Sequence, residues 1–138
     1  MIKKIVLILA VIGLVAAFIA YKMYNKPHVD TSVTPMMSDL TTEALITAFK
    51  ENESEANAKY LDRMIGVTGK IISIKSENNK TIIQLDANDP MSSIICTLDA
   101  LRDDHRTDFK EGEIIHMKGL CSGYLSDVIL DRCVEIKN

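Results

Sequence analysis

Seventeen consecutive uncharged and mostly apolar residues lie near the start of the chain, from Ile5 to Tyr21. Lys3 and Lys4 precede this run, and further lysines follow it. At a helical rise of about 1.5 Å per residue the run is roughly 26 Å long, close to the thickness of the hydrocarbon layer of a membrane. It therefore predicts a transmembrane anchor within residues 1–25, with residues 5–21 in contact with the lipid bilayer.

A cleavable signal peptide is the alternative interpretation of this run. Its end would carry small residues two positions apart, but Phe18 stands two after Ala16 and Ile19 two after Ala17. We therefore predict that the segment is not cleaved. The lysines are balanced, two on each side, so the free amino terminus makes the first flank the more positive one. The expected location is the bacterial inner membrane, single-pass, with the rest of the chain outside the cytoplasm.

The part of the chain after the apolar run is acidic. Residues 27–138 hold 12 Lys and Arg against 19 Asp and Glu, so their net charge is 12 minus 19, or −7. Phosphate-binding domains carry the opposite charge, which makes nucleic acid a disfavoured partner. The chain also lacks a Gly-rich phosphate loop and paired Cys-x-x-Cys motifs. Its 138 residues allow one small domain.

The next two segments are a linker and a helix. Residues 26–38 hold two prolines and no periodic pattern, which predicts an extended linker. The domain then covers residues 39–138 and begins with one amphipathic helix of four to five turns. Thr41 or Thr42 is expected to cap this helix. Its apolar face is formed by Leu45, Phe49, Ala56 and Tyr60.

Beyond this helix, β-branched runs alternate with turn residues. A change of parity just past Gly69 predicts a bulge that bends the first run. The polar stretch Asp99 to Lys110, between the third and fourth runs, is expected to form a short helix at one end of a barrel. Three strands, a helix and two strands form the order of an OB-fold, a five-stranded Greek-key barrel, so the fold class is mainly β. The predicted strands are Ile65 to Lys75, Thr81 to Asp86, Ser93 to Leu98, Glu113 to Cys121 and Asp127 to Ile136.

Several motifs in this region resemble the tRNA_anti-like family of OB-fold lipoproteins. They are the run FKENESEANAKYLDRMIGVTGKI, the isolated Cys96, the segment EGEIIHMKGLCSG and the ending DVILDRC. The resemblance implies a bacterial, envelope-associated OB barrel with a leading helix, and it implies no particular reaction. Many of these relatives are lipoproteins, whereas this chain has no Cys near its apolar run. A transmembrane helix is therefore expected to replace the lipid anchor.

The three cysteines all follow residue 95. Cys121 and Cys133 fall on the last two predicted strands, which makes them the candidate disulfide. A bond between Cys96 and Cys133, or three reduced and buried thiols, are the open alternatives. Thiol catalysis is disfavoured because strand alternation points His116, the nearest base, away from the interior together with Lys118.

The predicted function is that of a membrane-tethered, non-enzymatic OB-fold module that binds an envelope protein or a small ligand. No catalytic, cofactor-binding or metal-binding residue is predicted, and no cofactor is expected. The candidate ligand face consists of Gln84, Lys70, Lys75, Lys80 and Tyr124.

Two other functions compete with this one. The first is a single-stranded nucleic-acid-binding OB domain, although its predicted second and third strands contain no aromatic and no positively charged residue. The second is a divalent-metal-dependent enzyme built around Asp103, Asp104 and His105. Neighbouring arginines favour a solvated surface helix over that metal site.

Overall fold

The computed structural model describes residues 2–24, 34–100 and 106–137. Their order along the chain is one helix, a short strand, two helices and then five strands. The elements are α1 (Ile2–Tyr24), β1 (Ser38–Thr41), α2 (Thr42–Glu51), α3 (Glu53–Tyr60), β2 (Met64–Glu77), β3 (Lys80–Asp86), β4 (Ser93–Leu98), β5 (Ile114–Tyr124) and β6 (Val128–Glu135).

Strands β2 to β6 form a closed barrel. Going around it, the order is β2, β3, β4, β6 and β5, and β5 then pairs back onto β2. The β4–β6 pair is parallel and the other barrel pairs are antiparallel. This is the OB-type arrangement that the sequence predicted, and each predicted strand agrees with an observed one to within three residues at either end. The mainly β fold class is confirmed.

Strand β2 is long because it serves two neighbours in turn. Its first half, Met64 to Lys70, pairs with β5, and its second half, from Ile71 onward, pairs with β3. A register shift between Ile71 and Ser73 marks the bulge at the changeover, as predicted. Gly69 lies just before it, where an added Cβ would be 2.4 Å from Cγ2 of Thr42. The glycine therefore lets α2 begin directly against the bend.

The last residues of the predicted linker contact the barrel. Residues 26–33 lie outside the described part of the chain, but the chain is already attached to the barrel from Thr34 onward. The Lys118 ammonium donates to the Thr34 carbonyl at 3.1 Å, and the Met37 amide donates to the Met64 carbonyl at 2.9 Å. Residues 38–41 then form β1, which pairs in parallel with Ile65 to Thr68. These contacts hold residues 34–38, just before the predicted start of the domain, against the barrel.

The single helix predicted after the linker is wrong, because two helices occupy this region. Thr41 caps α2, as expected, by accepting from the Ala44 amide at 3.2 Å. The break falls at Asn52, whose backbone is extended with φ −153° and ψ 90°. The Asn52 side chain accepts from the Glu55 amide at 3.2 Å and so begins α3. An N-cap of this kind compensates for the interrupted backbone hydrogen bonds.

The core lies between the barrel interior and the buried faces of α2 and α3. Phe49, which is 1% exposed, is its largest fully buried side chain. The Phe49 ring stacks on Tyr124 at a centroid distance of 5.2 Å and contacts Tyr60 at 6.1 Å. The helices therefore close one end of the barrel through aromatic contacts. Other fully buried side chains are Leu45, Ile65, Val67, Ile71, Ile83, Leu85, Ile94, Met117, Val128 and Leu130.

Helix α1 is 23 residues long and exposes large apolar side chains, including Leu14 and Phe18. Among the residues whose side chains the structure describes, no helix carries an apolar stretch long enough to cross a membrane. The transmembrane span therefore stays a prediction.

The short helix predicted between the third and fourth strands of the barrel is not observed in its described residues. Asp99, Ala100 and residues 106–110 are non-helical, and residues 101–105 lie outside the described part. Phe109 nevertheless joins the core, and the Arg106 guanidinium lies 4.8 Å from its ring centroid. The described residues of this segment therefore cover part of the barrel in a non-helical conformation.

Arg106 connects this segment to β5 and β6 through acidic side chains. It contacts Asp108 at 2.8 Å, Glu113 at 2.6 Å and Glu135 at 3.0 Å. Hydrogen bonds to the guanidinium lower the pKa of Asp108 and of Glu113, and the same carboxylates raise the pKa of Arg106. The ionised acids are thus favoured in the folded state.

The Arg106 contacts predict a pH dependence of stability. Because the folded-state pKa values of Asp108 and Glu113 are depressed, their contribution is present at neutral pH and is lost as the pH falls through those values, below about 4. Arg106→Gln should therefore reduce the loss of unfolding free energy between pH 6 and pH 3, measured by urea denaturation. The Lys50–Asp89 ion pair remains in both proteins, so the difference between the two pH profiles reports on Arg106. Parallel profiles would contradict this prediction.

Candidate ligand-binding face

The outer surface of β2, β3 and β4 presents a continuous row of side chains away from the core. The strand register places Ser73 beside Gln84, Lys75 beside Ile82, and Gln84 beside Ile95. Neighbouring residues along the same strands, such as Ile83, point inward and are fully buried. The alternation of side chains therefore separates one outer face cleanly from the core.

A groove of about 250 Å³ lies on this face, and we call it the β2–β4 groove. Two half-buried isoleucines lie among polar residues, and the single positive charge is matched by a single negative one. No aromatic side chain lines it. The lining residues are Ser73, Lys75, Glu77, Ile82, Gln84 and Ile95. The groove is consequently close to neutral and aliphatic, with amide and hydroxyl groups available for hydrogen bonds.

The amide of Gln84 is held in place by a short network at one end of the groove. Gln84 Nε2 donates to Ser93 Oγ at 2.9 Å, and the Ser93 hydroxyl donates to Asp127 Oδ1 at 2.6 Å. The Ser93 backbone amide donates to the same oxygen at 2.7 Å. Asp127 lies in the loop between β5 and β6, so these hydrogen bonds connect the loop to the groove.

Only some of the five residues of the predicted ligand face lie close together in the structure. Lys75 and Gln84 line the groove, and Lys80 lies at its edge, paired in register with Glu77. Lys70 instead lines a separate depression of about 320 Å³ beside the start of α2. Tyr124 stacks on Phe49 against the core, so it is not part of this face.

Sequence reasoning missed the apolar floor of the groove. Ile82 and Ile95 carry no charge or motif that marks them as a site, and only the register between β3 and β4 shows that they share a face with Gln84. The alternation along each strand was the available signal, because Ile83 and Ile94 on the opposite parity belong to the core.

The predicted Cys121–Cys133 disulfide is not formed. All three cysteines are free and buried, and Cys121 lies opposite Leu130, three residues away from Cys133 along β6. Burial raises the pKa of the Cys121 thiol, and burial together with a hydrogen bond to Cys96 raises that of Cys133. The Cys121 and Cys133 thiols are therefore held protonated in the core. Three free, buried thiols are the third alternative that the sequence left open.

The structure describes some of the polar residues that the sequence suggested for catalysis or metal binding. His116 points outward, as predicted, with Nε2 at 2.9 Å from Asp39 Oδ1. Asp103, Asp104 and His105 lie outside the described residues. Within the described ranges, no three His, Cys, Asp or Glu residues are grouped so as to hold a metal ion.

A closed five-stranded barrel with this strand order defines an OB-type fold. The tRNA_anti-like family model matches residues 1–135, and the chain belongs to that family. The family resemblance seen in the sequence is thereby confirmed.

One similar solved structure is described as a putative nucleic acid-binding lipoprotein from Klebsiella pneumoniae subsp. pneumoniae. It superposes with a TM-score of 0.55 at 17% sequence identity, covering 78% of this chain and 98% of the other. At that identity the similarity supports the fold. No curated protein matches this sequence.

Proposed function

We propose that this protein is a membrane-tethered, non-enzymatic binding module that uses the β2–β4 groove to bind a polypeptide segment of an envelope protein. The observation that carries the proposal is the composition of the groove, with Ile82 and Ile95 flanked by Gln84 and by the Lys75 and Glu77 charges. A neutral surface with aliphatic contacts and fixed hydrogen-bonding groups suits a peptide, whose side chains alternate between apolar and polar.

The membrane tether in this proposal rests on α1 and on the apolar run. Ile5 to Tyr21 contains no charged residue, and the 23 residues of α1 extend over about 34 Å. Leu14 and Phe18 are more than 60% exposed, so the helix offers apolar surface that a lipid bilayer would cover. The similar structure from Klebsiella is called a lipoprotein, which is consistent with a place in the envelope.

A non-enzymatic role is supported by the placement of the reactive side chains. The Cys121 thiol points into the core from β5, whereas His116 points outward from the same strand. The imidazole of His116 is therefore on the wrong side of the sheet to serve as a base for that thiol.

Nucleic acid is the competing ligand, because the similar structure is described as putatively nucleic acid-binding. Binding of single strands relies on aromatic stacking and a positive groove. The β2–β4 groove has no aromatic residue, and its one lysine is offset by Glu77. The net charge of −7 for residues 27–138 adds long-range repulsion of a phosphate backbone.

Photo-crosslinking in native bacterial membranes tests the proposal. A benzophenone amino acid at position 95, within the groove, should yield a discrete protein adduct that stays in the membrane pellet after carbonate extraction. The same probe at Ile114, which is 72% exposed but outside the groove, is the matched control and should yield none. Ile82→Arg should abolish the adduct at position 95 by placing a charge in the apolar floor.

Three results would contradict the proposal. Equal adducts at positions 95 and 114 would show that the groove is not selective. Release of the adduct by carbonate would show that the chain is not an integral tether. Saturable binding of a labelled single-stranded oligonucleotide at low salt, weakened by Lys75→Gln, would establish the nucleic-acid function instead.

A further inference from the structure

Two large apolar side chains stand out from loops at one end of the barrel. Leu125, in the turn between β5 and β6, is 87% exposed, and Met91, in the loop between β3 and β4, is 82% exposed. They are the most exposed large apolar side chains within residues 34–100 and 106–137. A single exposed apolar residue is ordinary, but two on adjacent loops form a shared surface. We call these two residues the loop tips.

The strand pairing places both loops at the same end of the barrel. Strands β4 and β6 run parallel, with Ile94 beside Val128, so the loops that precede these strands lie side by side. The Ser93 amide donates to Asp127 Oδ1 at 2.7 Å, which joins the base of one loop to the base of the other. The loop tips therefore belong to one connected surface.

The chain also reaches the domain at this end of the barrel. The Met37 amide donates to the Met64 carbonyl at 2.9 Å, and Met64 begins β2 beside the last part of β5. Tyr24 ends α1, and Thr34 lies ten positions later. A fully extended chain of that length spans at most about 36 Å. The apolar run is therefore attached by a short tether to the barrel end that carries the loop tips.

We propose that this end of the barrel lies on the surface of the bilayer, with Met91 and Leu125 inserted among the lipid chains next to the headgroups. The proposal rests on the membrane tether of the proposed function, because two side chains alone bury too little apolar surface for stable binding. A short tether raises the effective concentration of the loop tips at the bilayer, so a weak insertion is sufficient.

The charges beside the loop tips fit a lipid surface without net charge. Asp89, two residues before Met91, forms an ion pair with Lys50 of α2, and Asp127 accepts from the Ser93 hydroxyl at 2.6 Å. These acids are thus paired within the protein. The net charge of −7 for residues 27–138 opposes contact with an anionic bilayer. The contact is therefore expected to be strongest on zwitterionic lipid.

The β2–β4 groove stays accessible in this arrangement. It lies on the wall of the barrel, and its Lys75 and Glu77 side lies towards the β2–β3 turn, at the opposite end of the barrel from the loop tips. The bilayer contact therefore turns the groove towards the space outside the membrane, where an envelope protein can reach it.

Quenching by spin-labelled lipid tests the proposal on the full chain reconstituted in phosphatidylcholine vesicles. Met91→Cys and Leu125→Cys are each labelled with an environment-sensitive fluorophore, which is selective because the three native thiols are fully buried. A nitroxide near the headgroup end of the lipid chains should quench both labels at least about threefold more than a label at Ile114→Cys. Ile114 is the matched control, because it is 72% exposed at the opposite end of β5.

A second substitution shows whether the loop tips insert together. Leu125→Asp should reduce the quenching of the label at position 91 at least about threefold, because a charge is excluded from the lipid chains. Ile114→Asp should leave that quenching unchanged. Both replaced side chains are exposed, so the circular dichroism of the two variants should match that of the wild type. Equal effects of the two substitutions would contradict the proposal.

Flotation of the vesicles separates this inference from the tether. A chain that floats with the vesicles, but whose labels at positions 91 and 125 are quenched no more than the label at 114, would overturn the surface contact and leave the tether intact. A chain that does not float would overturn both. A blue-shifted emission at position 125 in native bacterial membranes, but not in lipid vesicles, would assign the loop tips to a protein partner and overturn the lipid contact.

Discussion

Phe49→Ala is expected to lower the free energy of unfolding by about 3–5 kcal/mol, the usual cost of removing a large aromatic side chain from a core. Phe49 is 1% exposed and contacts Tyr60 of α3 and Tyr124 of β5. Its loss leaves a cavity between the two helices and the end of the barrel, and both tyrosine rings lose a stacking partner. The effect is large because one residue joins three elements.

Urea denaturation of the two proteins, followed by circular dichroism, measures this difference. Leu125→Ala is the matched control, since Leu125 lies just beyond Tyr124 but is 87% exposed. The control should change the unfolding free energy by less than about 0.5 kcal/mol. A loss below about 1 kcal/mol for Phe49→Ala would show that α2 does not close the barrel as described.

The barrel was predictable because its strands carry local signals. Strands β2 to β6 are rich in β-branched residues with a period of two and are separated by turn residues such as Asn78 and Asn79, both of which have positive φ. Strand β1 gave no such signal. Its four residues, of which only Leu40 is apolar, form a strand because β2 offers an open edge, which is a tertiary effect.

The helix break could have been found from the sequence. Asn52 followed three residues later by Glu55 is a capping signature. The Asn52 side chain accepts from the Glu55 amide at 3.2 Å and donates to the Glu55 carboxylate at 3.3 Å, while the Asn52 backbone amide donates to the Ala48 carbonyl at the end of α2. The apolar spacing of Phe49, Ala56 and Tyr60 fitted a single helix and hid this signal, because the two helices direct their buried residues to the same core.

The cysteine arrangement and the groove depend on register, which the sequence does not contain. Register shifts occur between Cys96 and Leu98 on β4, and between Cys121 and Gly123 on β5. They bring Cys133 close to Cys96 and leave Cys121 opposite Leu130. The candidate ligand face was chosen mainly for its lysines, because charged residues stand out in a sequence. It therefore omitted the two isoleucines that the register places in the groove.

Gly119→Ala is the second substitution with a large expected effect on stability. Gly119 lies on β5, and an added Cβ would be 2.5 Å from Cys133 Sγ and 3.1 Å from the Leu130 Cβ. Both neighbours are fully buried, so neither can move into solvent. Overpacking of this kind costs about 1–3 kcal/mol. The fall in unfolding free energy is measured by urea denaturation.

Making Gly119→Ala in a Cys133→Ala protein distinguishes the clash with the Cys133 thiol from strain in the backbone. Removing Sγ opens the space into which the new methyl group must fit, so Gly119→Ala should cost at least about 1 kcal/mol less in Cys133→Ala than in the wild type. An equal cost in both backgrounds would assign the penalty to Leu130 and the β6 backbone instead. Because Cys133 is paired with Leu98 of β4 and its Sγ donates to the Leu130 carbonyl at 3.3 Å, the coupling measures how tightly β4, β5 and β6 are packed around this thiol.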